Sequence, residues 1–212
     1  MPRNSIFRTV ALLVVMLAAF AAVALAGDGK EAKMSETISV WGGNTPVLGS
    51  SAVDVAGLRY QFNVPIGQSH HWVAAPAVGY GYGRYKTDLT SSGTTASTTY
   101  SRSMWDAMLD FLYYNDCCDD DDFYCGPGFF YSSNTPKVDP NPSNLTFDPF
   151  NTFGVQMTVG GGIPVGQKME VVGSLSERFG MTMYDQKDTS GETKLSGTTY
   201  STLFTGGVRI KF

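Results

Sequence analysis

From Tyr200 to the C-terminus the side chains alternate in kind. Tyr200, Thr202, Phe204, Gly206, Val208, Ile210 and Phe212 fall on one face, which is apolar with aromatics at both ends. Ser201, Leu203, Thr205, Gly207, Arg209 and Lys211 fall on the other, which is polar and small. A period of two puts successive side chains on opposite sides of a β-strand. Strands of soluble sandwiches usually run about five or six residues. This alternation persists for about a dozen, the length of a tilted transmembrane strand.

The rest of the chain narrows the choice. Beyond Ala26 no apolar run approaches the roughly 20 residues of a membrane helix. If this part of the chain crosses a bilayer, it does so with strands. Open strands in hydrocarbon leave N–H and C=O groups unpaired at several kcal/mol each, so only a closed barrel remains. Plentiful glycine (24 residues) and aromatics (13%), with only 16% charged residues, accord with that outcome. A soluble secreted β-protein is the alternative.

The N-terminus sets the compartment. Arg3 and Arg8 precede an uncharged apolar run from Val10 to Ala26, which closes on Ala24-Leu25-Ala26 before Gly27. This is the pattern of a secretory signal peptide with a small-x-small cleavage site. An uncleaved anchor is the competing interpretation, since the run just reaches across a bilayer. We expect cleavage, with a signal peptide at 1–26 and one domain at 27–212. The segment carries two of the 15 Lys+Arg and none of the 19 Asp+Glu, so its removal takes the net charge from −4 to −6. No basic stripe is left to attract nucleic acid.

Several internal segments repeat the dyad pattern. Phe153, Val155, Met157, Val159 and Ile163 alternate with Gly154, Gln156, Thr158, Gly160 and Gly162. After the turn Pro164-Val165-Gly166-Gln167, Met169, Val171, Gly173, Leu175 and Phe179 alternate with Glu170, Ser174, Ser176, Arg178 and Gly180. Glu177 interrupts the apolar face, which would suit a place near the headgroups or a bulge. Upstream, Leu58, Tyr60, Phe62 and Val64 alternate with Gly57, Arg59, Gln61 and Asn63, and Trp72 to Tyr82 with Ala75 to Gly83. Trp105, Ala107, Leu109, Phe111 and Tyr113 oppose Met104, Asp106, Met108, Asp110 and Leu112, although helical phasing competes over 103–114. Residues 35–43 and 123–132 make weaker strands. Pro76 and Pro127 each lack a ladder donor, which calls for a bulge or distorted register. The count is about eight.

The connections alternate too. Residues 65–70, 115–122 and 164–168 are brief, whereas 44–51, 87–96, 133–151 and 185–197 are mostly longer and polar. Membrane barrels have short periplasmic turns and longer external loops. The fold expected is therefore all-β: a closed antiparallel up-and-down transmembrane β-barrel of about eight strands with both termini periplasmic.

With these features the chain resembles the small outer-membrane barrel superfamily, the OmpA-, OmpX- and OmpW-like outer membrane protein beta-barrel domain. The resemblance rests on the signal segment, on Gly160-Gly161-Gly162-Ile163-Pro164 through Val171-Val172-Gly173, and on the ending Gly207-Val208-Arg209-Ile210-Lys211-Phe212. It implies an eight-stranded barrel inserted in the outer membrane and no single activity. A terminal Phe212 on an alternating strand resembles the signal that family members present to the barrel-assembly machinery. An anchoring role of the OmpA kind is not expected, because no peptidoglycan-binding sequence follows the barrel.

The inward face would gather Arg59, Asp106, Asp110, Glu170, Arg178, Arg209 and Lys211. An eight-stranded barrel is just filled by its own side chains, so these charges should meet and offset one another's desolvation. A structural ion-pair plug is expected, with a narrow gated conduit as the alternative. Lipid-hydrolysing barrels need a nucleophile activated by a base. The only histidines, His70 and His71, lie beside a turn on the expected periplasmic side, so no catalytic residue, metal or cofactor is expected. Cys117, Cys118 and Cys125 flank Asp119-Asp120-Asp121-Asp122. A Cys118–Cys125 bridge across a hairpin base is possible in the periplasm, and the four carboxylates read as a solvated turn rather than a calcium cage. The function expected is a monomeric barrel whose polar loops contact an unknown surface ligand. Transport of small solutes or hydrophobic compounds is the alternative.

Overall fold

The computed structural model describes residues 34–46, 52–66, 71–91, 94–118, 121–139, 149–188 and 191–212. The signal segment, His70, Asp119 and Asp120 lie outside them. Every described element is a strand: β1 (Ser35–Pro46), β2 (Ala52–Ile66), β3 (Trp72–Ser91), β4 (Thr94–Cys118), β5 (Asp121–Asp139), β6 (Phe150–Pro164), β7 (Met169–Asp188) and β8 (Gly191–Lys211). They form a closed barrel in sequence order. Each strand pairs antiparallel with the next, and β1 returns to β8 from Ser35↔Lys211 to Asn44↔Thr202. Residues 103–114 belong to β4, so the helical competitor is excluded.

Closure leaves each strand with one face inside and one outside. Arg59, Asp106, Asp110, Arg178 and Arg209 are buried within the barrel. Ile38, Val40, Leu58, Val78, Trp105, Phe129, Val155, Val171, Phe179 and Phe204 are exposed on its exterior, so all eight strands carry apolar side chains outward. The alternation read from the sequence thus translates directly into an inside-out distribution.

Neither proline introduces a bulge. β2 and β3 pair Gln61↔Ala77 and Val64↔Ala74 in one unshifted register, and only the pairs between them, beside Pro76, are missing. β4 and β5 likewise keep register from Asp110↔Gly128 to Tyr113↔Cys125 around Pro127. A proline removes a single N–H, and the ladder drops those rungs without inserting a residue. The irregularity lies farther along, between Asn115 and Cys118. Glu177 needs no bulge either, since it pairs regularly with Met157 and Thr202.

Two of the expected long loops are instead strand. The β3–β4 ladder continues to Ser91↔Thr94 and the β7–β8 ladder to Asp188↔Gly191. These stretches are rich in Ser and Thr and lack an alternating apolar face, so periodicity misses them while backbone pairing does not. The bridge between Cys118 and Cys125 is also corrected: Cys125 is a buried free thiol. The ladder sets Cys118 against Asp121 and Cys125 against Tyr113. Five positions along a strand amount to about 16 Å, whereas a disulfide needs Cα atoms within about 7 Å. The side chains of Cys117 and Cys118 lie outside the described residues.

Candidate functional site

The lumen is the place where chemistry-bearing side chains converge, because inward parity on every strand delivers them there. Near the end that holds Met34, Phe212 and the 165–168 turn, Glu170 of β7 receives Arg209 of β8 at 3.2 Å and also pairs with Lys211. The Arg209 guanidinium lies 5.4 Å from the Tyr114 ring and 5.0 Å from the Tyr124 ring. Those two rings stack at 5.2 Å. A cation over aromatic faces in a desolvated site is held by their quadrupoles. Gly160 makes the stack possible: a Cβ there would sit 2.5 Å from the Tyr124 ring and hydroxyl. Val73, Ala75 and Leu112 complete the packing around the two tyrosines.

One layer farther in, Arg178 of β7 and Asp106 of β4 form an ion pair at 2.9 Å, with both side chains almost wholly buried. Further partners hold both members of this pair. Arg178 Nε donates to Gln156 Oε1 at 2.8 Å, and its guanidinium lies 4.7 Å from the Phe130 ring. Ser132 Oγ donates to Asp106 Oδ1. Gln156 Nε2 in turn donates to Asp110 Oδ1 at 2.5 Å, and Thr158 Oγ1 donates to Asp110 Oδ2 at 3.3 Å. Five side chains on β4, β5, β6 and β7 are therefore joined as Asp110–Gln156–Arg178–Asp106–Ser132. A buried charge is tolerated where hydrogen bonds meet its lone pairs and protons, and this network ties four strands across the lumen.

Arg59 belongs to the same layer but is held differently. Its Nη1 donates to Thr205 Oγ1 at 3.2 Å, and its guanidinium faces the Trp41 ring at 5.8 Å. The Trp41 indole lies inside the barrel and donates from Nε1 to Leu58 O at 3.2 Å. Gly81 gives the ring its room, because a Cβ there would meet Trp41 Cζ2 at 2.5 Å. Gly79 and Gly81 thus form the lumenal floor beneath the indole. Above the Arg178 layer, a cavity of about 20 Å³ is lined in part by Arg102, Ser132, Asn134, Thr152 and Arg178, room for about one water molecule.

All seven charges expected inside are inside. Six are brought into two networks, one around Glu170 and one around Arg178. Arg59, expected to join an ion pair, is held by a hydroxyl and an aromatic face instead. Arg102, also buried in the lumen, was missed because its surroundings on β4 carry no apolar alternation. Its even-numbered parity with Met104 and Asp106 was the available signal. His71 packs edge-on against Tyr113 with centroids 6.1 Å apart, and among the described residues no group of three or more potential metal ligands occurs.

No protein-family model and no curated protein matches the chain. Solved structures do. The outer membrane protein OprG from Pseudomonas aeruginosa matches with a TM-score of 0.53 and 11% identity over 88% of this chain and 99% of OprG. Neisserial surface protein A is similar with a TM-score of 0.47 and 15% identity over 84% of this chain and 97% of its own. AlkL, determined in DMPC bilayers, is similar with a TM-score of 0.48 and 14% identity over 87% and 92%. The likeness to OprG is one of fold, the small eight-stranded architecture of outer-membrane barrels.

Proposed function

We propose that this chain is an integral outer-membrane protein whose barrel is a sealed scaffold and whose long polar hairpins make contacts outside the cell. The observation that carries this reading is the inversion of polarity: paired charges occupy the interior while apolar side chains cover the exterior of all eight strands. In water that exterior would be an exposed hydrophobic surface far beyond the few hundred Å² tolerated by soluble monomers. Its height suits a bilayer. Outward positions on β3 run from Trp72 to Tyr82, ten steps of about 3.3 Å, which at a tilt of about 40° rise about 25 Å, the height of an outer-membrane barrel's apolar band.

The remaining parts of the reading follow from this placement. A cleaved signal peptide at 1–26 brings the chain through the inner membrane. The barrel-assembly machinery recognises the last strand through Phe212, whose side chain stays exposed at the barrel end. The chain acts as a monomer and without catalysis, and the barrel end that carries the Ser91↔Thr94 and Asp188↔Gly191 rungs faces outward.

Sealing is testable directly. The Asp110–Gln156–Arg178–Asp106–Ser132 network crosses the lumen and, with the Glu170 cluster, supports a plug rather than a conduit. In planar bilayers the purified barrel and its D106N/D110N variant should both give near-zero current. Sustained unit conductance in the native protein would replace the scaffold reading with transport. Resistance to carbonate extraction and heat-modifiable mobility on gels are expected of the native protein in either case.

A further inference from the structure

The exterior carries a second cluster that the plug does not use. At the long-hairpin end, β4 presents only small hydroxylic side chains outward (Thr99, Ser101 and Ser103), and longer ones stand on either side: Tyr82 and Arg84 on β3, Thr135, Lys137 and Asp139 on β5. Together they line an open groove of about 440 Å³ that runs along β4. The registers align its rungs. Tyr82 pairs with Ser103 and Ser103 with Thr135; next along, Arg84 pairs with Ser101 and Ser101 with Lys137. Neighbouring strands are about 4.8 Å apart, so the backbones of Arg84 and Lys137 are separated by about 10 Å across Ser101. Long side chains from both walls can therefore close on one group above the serine. Arg84 and Lys137 have no ion-pair partner among the described residues, whereas the charges of the lumen are largely paired.

The level of the groove is set by what lies beneath it. One rung nearer the middle of the barrel, Tyr80 and Trp105 pack with ring centroids 4.9 Å apart, and both are exposed on the outside. Such aromatics are enriched towards the membrane–water interface. The groove begins at that level and rises away from the apolar band. Its floor of hydroxyls and its two cationic walls offer a phosphate a guanidinium fork, an ammonium and neutral donors. Below it, continuous with the same wall, Val78, Ala107 and Leu109 offer an apolar surface to acyl chains.

We propose that the groove along β4 binds the phosphorylated headgroup of an outer-leaflet glycolipid, with Arg84 and Lys137 grasping one phosphate from opposite sides. Asp139, farther out on the same wall, repels a second anionic group and so directs the phosphate to the Arg84–Ser101–Lys137 rung. This proposal rests on the membrane placement argued above, and its test separates the two.

The barrel purified from membranes would be titrated in mixed micelles with diphosphoryl lipid A, and retained lipid read by native mass spectrometry. Expected is a lipid adduct at least tenfold depleted in R84S/K137S, kept in K137R and undiminished in D139N. All variants should keep heat-modifiable mobility, because none of these side chains enters the lumen. Equal retention by R84S/K137S, or equal retention of the dephosphorylated glycolipid, would overturn the proposal. So would displacement of lipid A by an equal concentration of inorganic phosphate, which would make the groove a free-anion site. Failure of the membrane placement would register separately, as extraction of the native protein by carbonate.

Discussion

Glu177 faces outward near the middle of β7, between Leu175 and Phe179, yet it is only 3% exposed. Its carboxylate accepts one bifurcated hydrogen bond from Thr202 Oγ1, at 3.1 and 2.9 Å to its two oxygens, and the Tyr200 hydroxyl donates to it as well. Its cross-strand neighbour on β6, Met157, is buried beside it. A carboxylate facing lipid is costly when its lone pairs are unmet, and two hydroxyl donors answer that cost locally. Removing one donor leaves the acceptor buried and partly unsatisfied, worth about 1–3 kcal/mol. Thr202→Val is therefore expected to destabilise the barrel by that order in urea unfolding from lipid vesicles. In a Glu177→Leu background the same change should cost almost nothing, because the acceptor is gone. An equal loss in both backgrounds would show that Thr202 contributes through packing instead. Arg59 makes the same point from the lumen side. Its parity was legible from the sequence, but its contact with Thr205 and Trp41 was not, because alternation fixes which face a residue takes and leaves its height against neighbouring strands open.

At the scale of elements, two physical signals behaved differently. Dyad apolarity marked the membrane-level part of the strands, including β8 and the β6–β7 hairpin, since there one face meets an apolar medium and the other a polar interior. Beyond that level both faces can meet water, and the signal vanishes while pairing persists. This is why residues 87–96 read as a loop although β3 and β4 continue pairing to Ser91↔Thr94. Prolines misled in the opposite direction, since a missing donor at Pro76 or Pro127 costs rungs and not register. The extended part of β3–β4 should thus be separable from barrel stability. Lys86 and Thr99 are directly paired, so replacing residues 87–98 with Asn-Gly, a two-residue turn that matches strand twist, closes the hairpin at that rung. The unfolding free energy should change by no more than about 0.5 kcal/mol, the usual range for surface alterations. A loss of several kcal/mol in the same vesicle assay would mean that the hairpin braces the barrel.

For the whole molecule, the question is which solvent its exterior meets, and one substitution can report it. Val78 stands near the middle of the span from Trp72 to Tyr82 on the outer face of β3 and is 56% exposed. Its side chain touches neither lumenal network, so a change there acts through the surroundings of the exterior. In water, an exposed Val→Arg exchange on a strand would stay within about 0.5 kcal/mol. At the midplane of a bilayer the same exchange costs about 2–4 kcal/mol, and the penalty falls to about 0–1 near the interfaces. Val78→Arg in reconstituted barrels should accordingly lose about 2–4 kcal/mol by urea unfolding, while Ser103→Arg, above the aromatic girdle on β4, should lose at most about 1. The depth dependence decides the matter, because local strain from a larger side chain has no reason to grade with distance from the girdle. Equal, small effects at both positions would place the apolar exterior in water and remove the basis for membrane insertion.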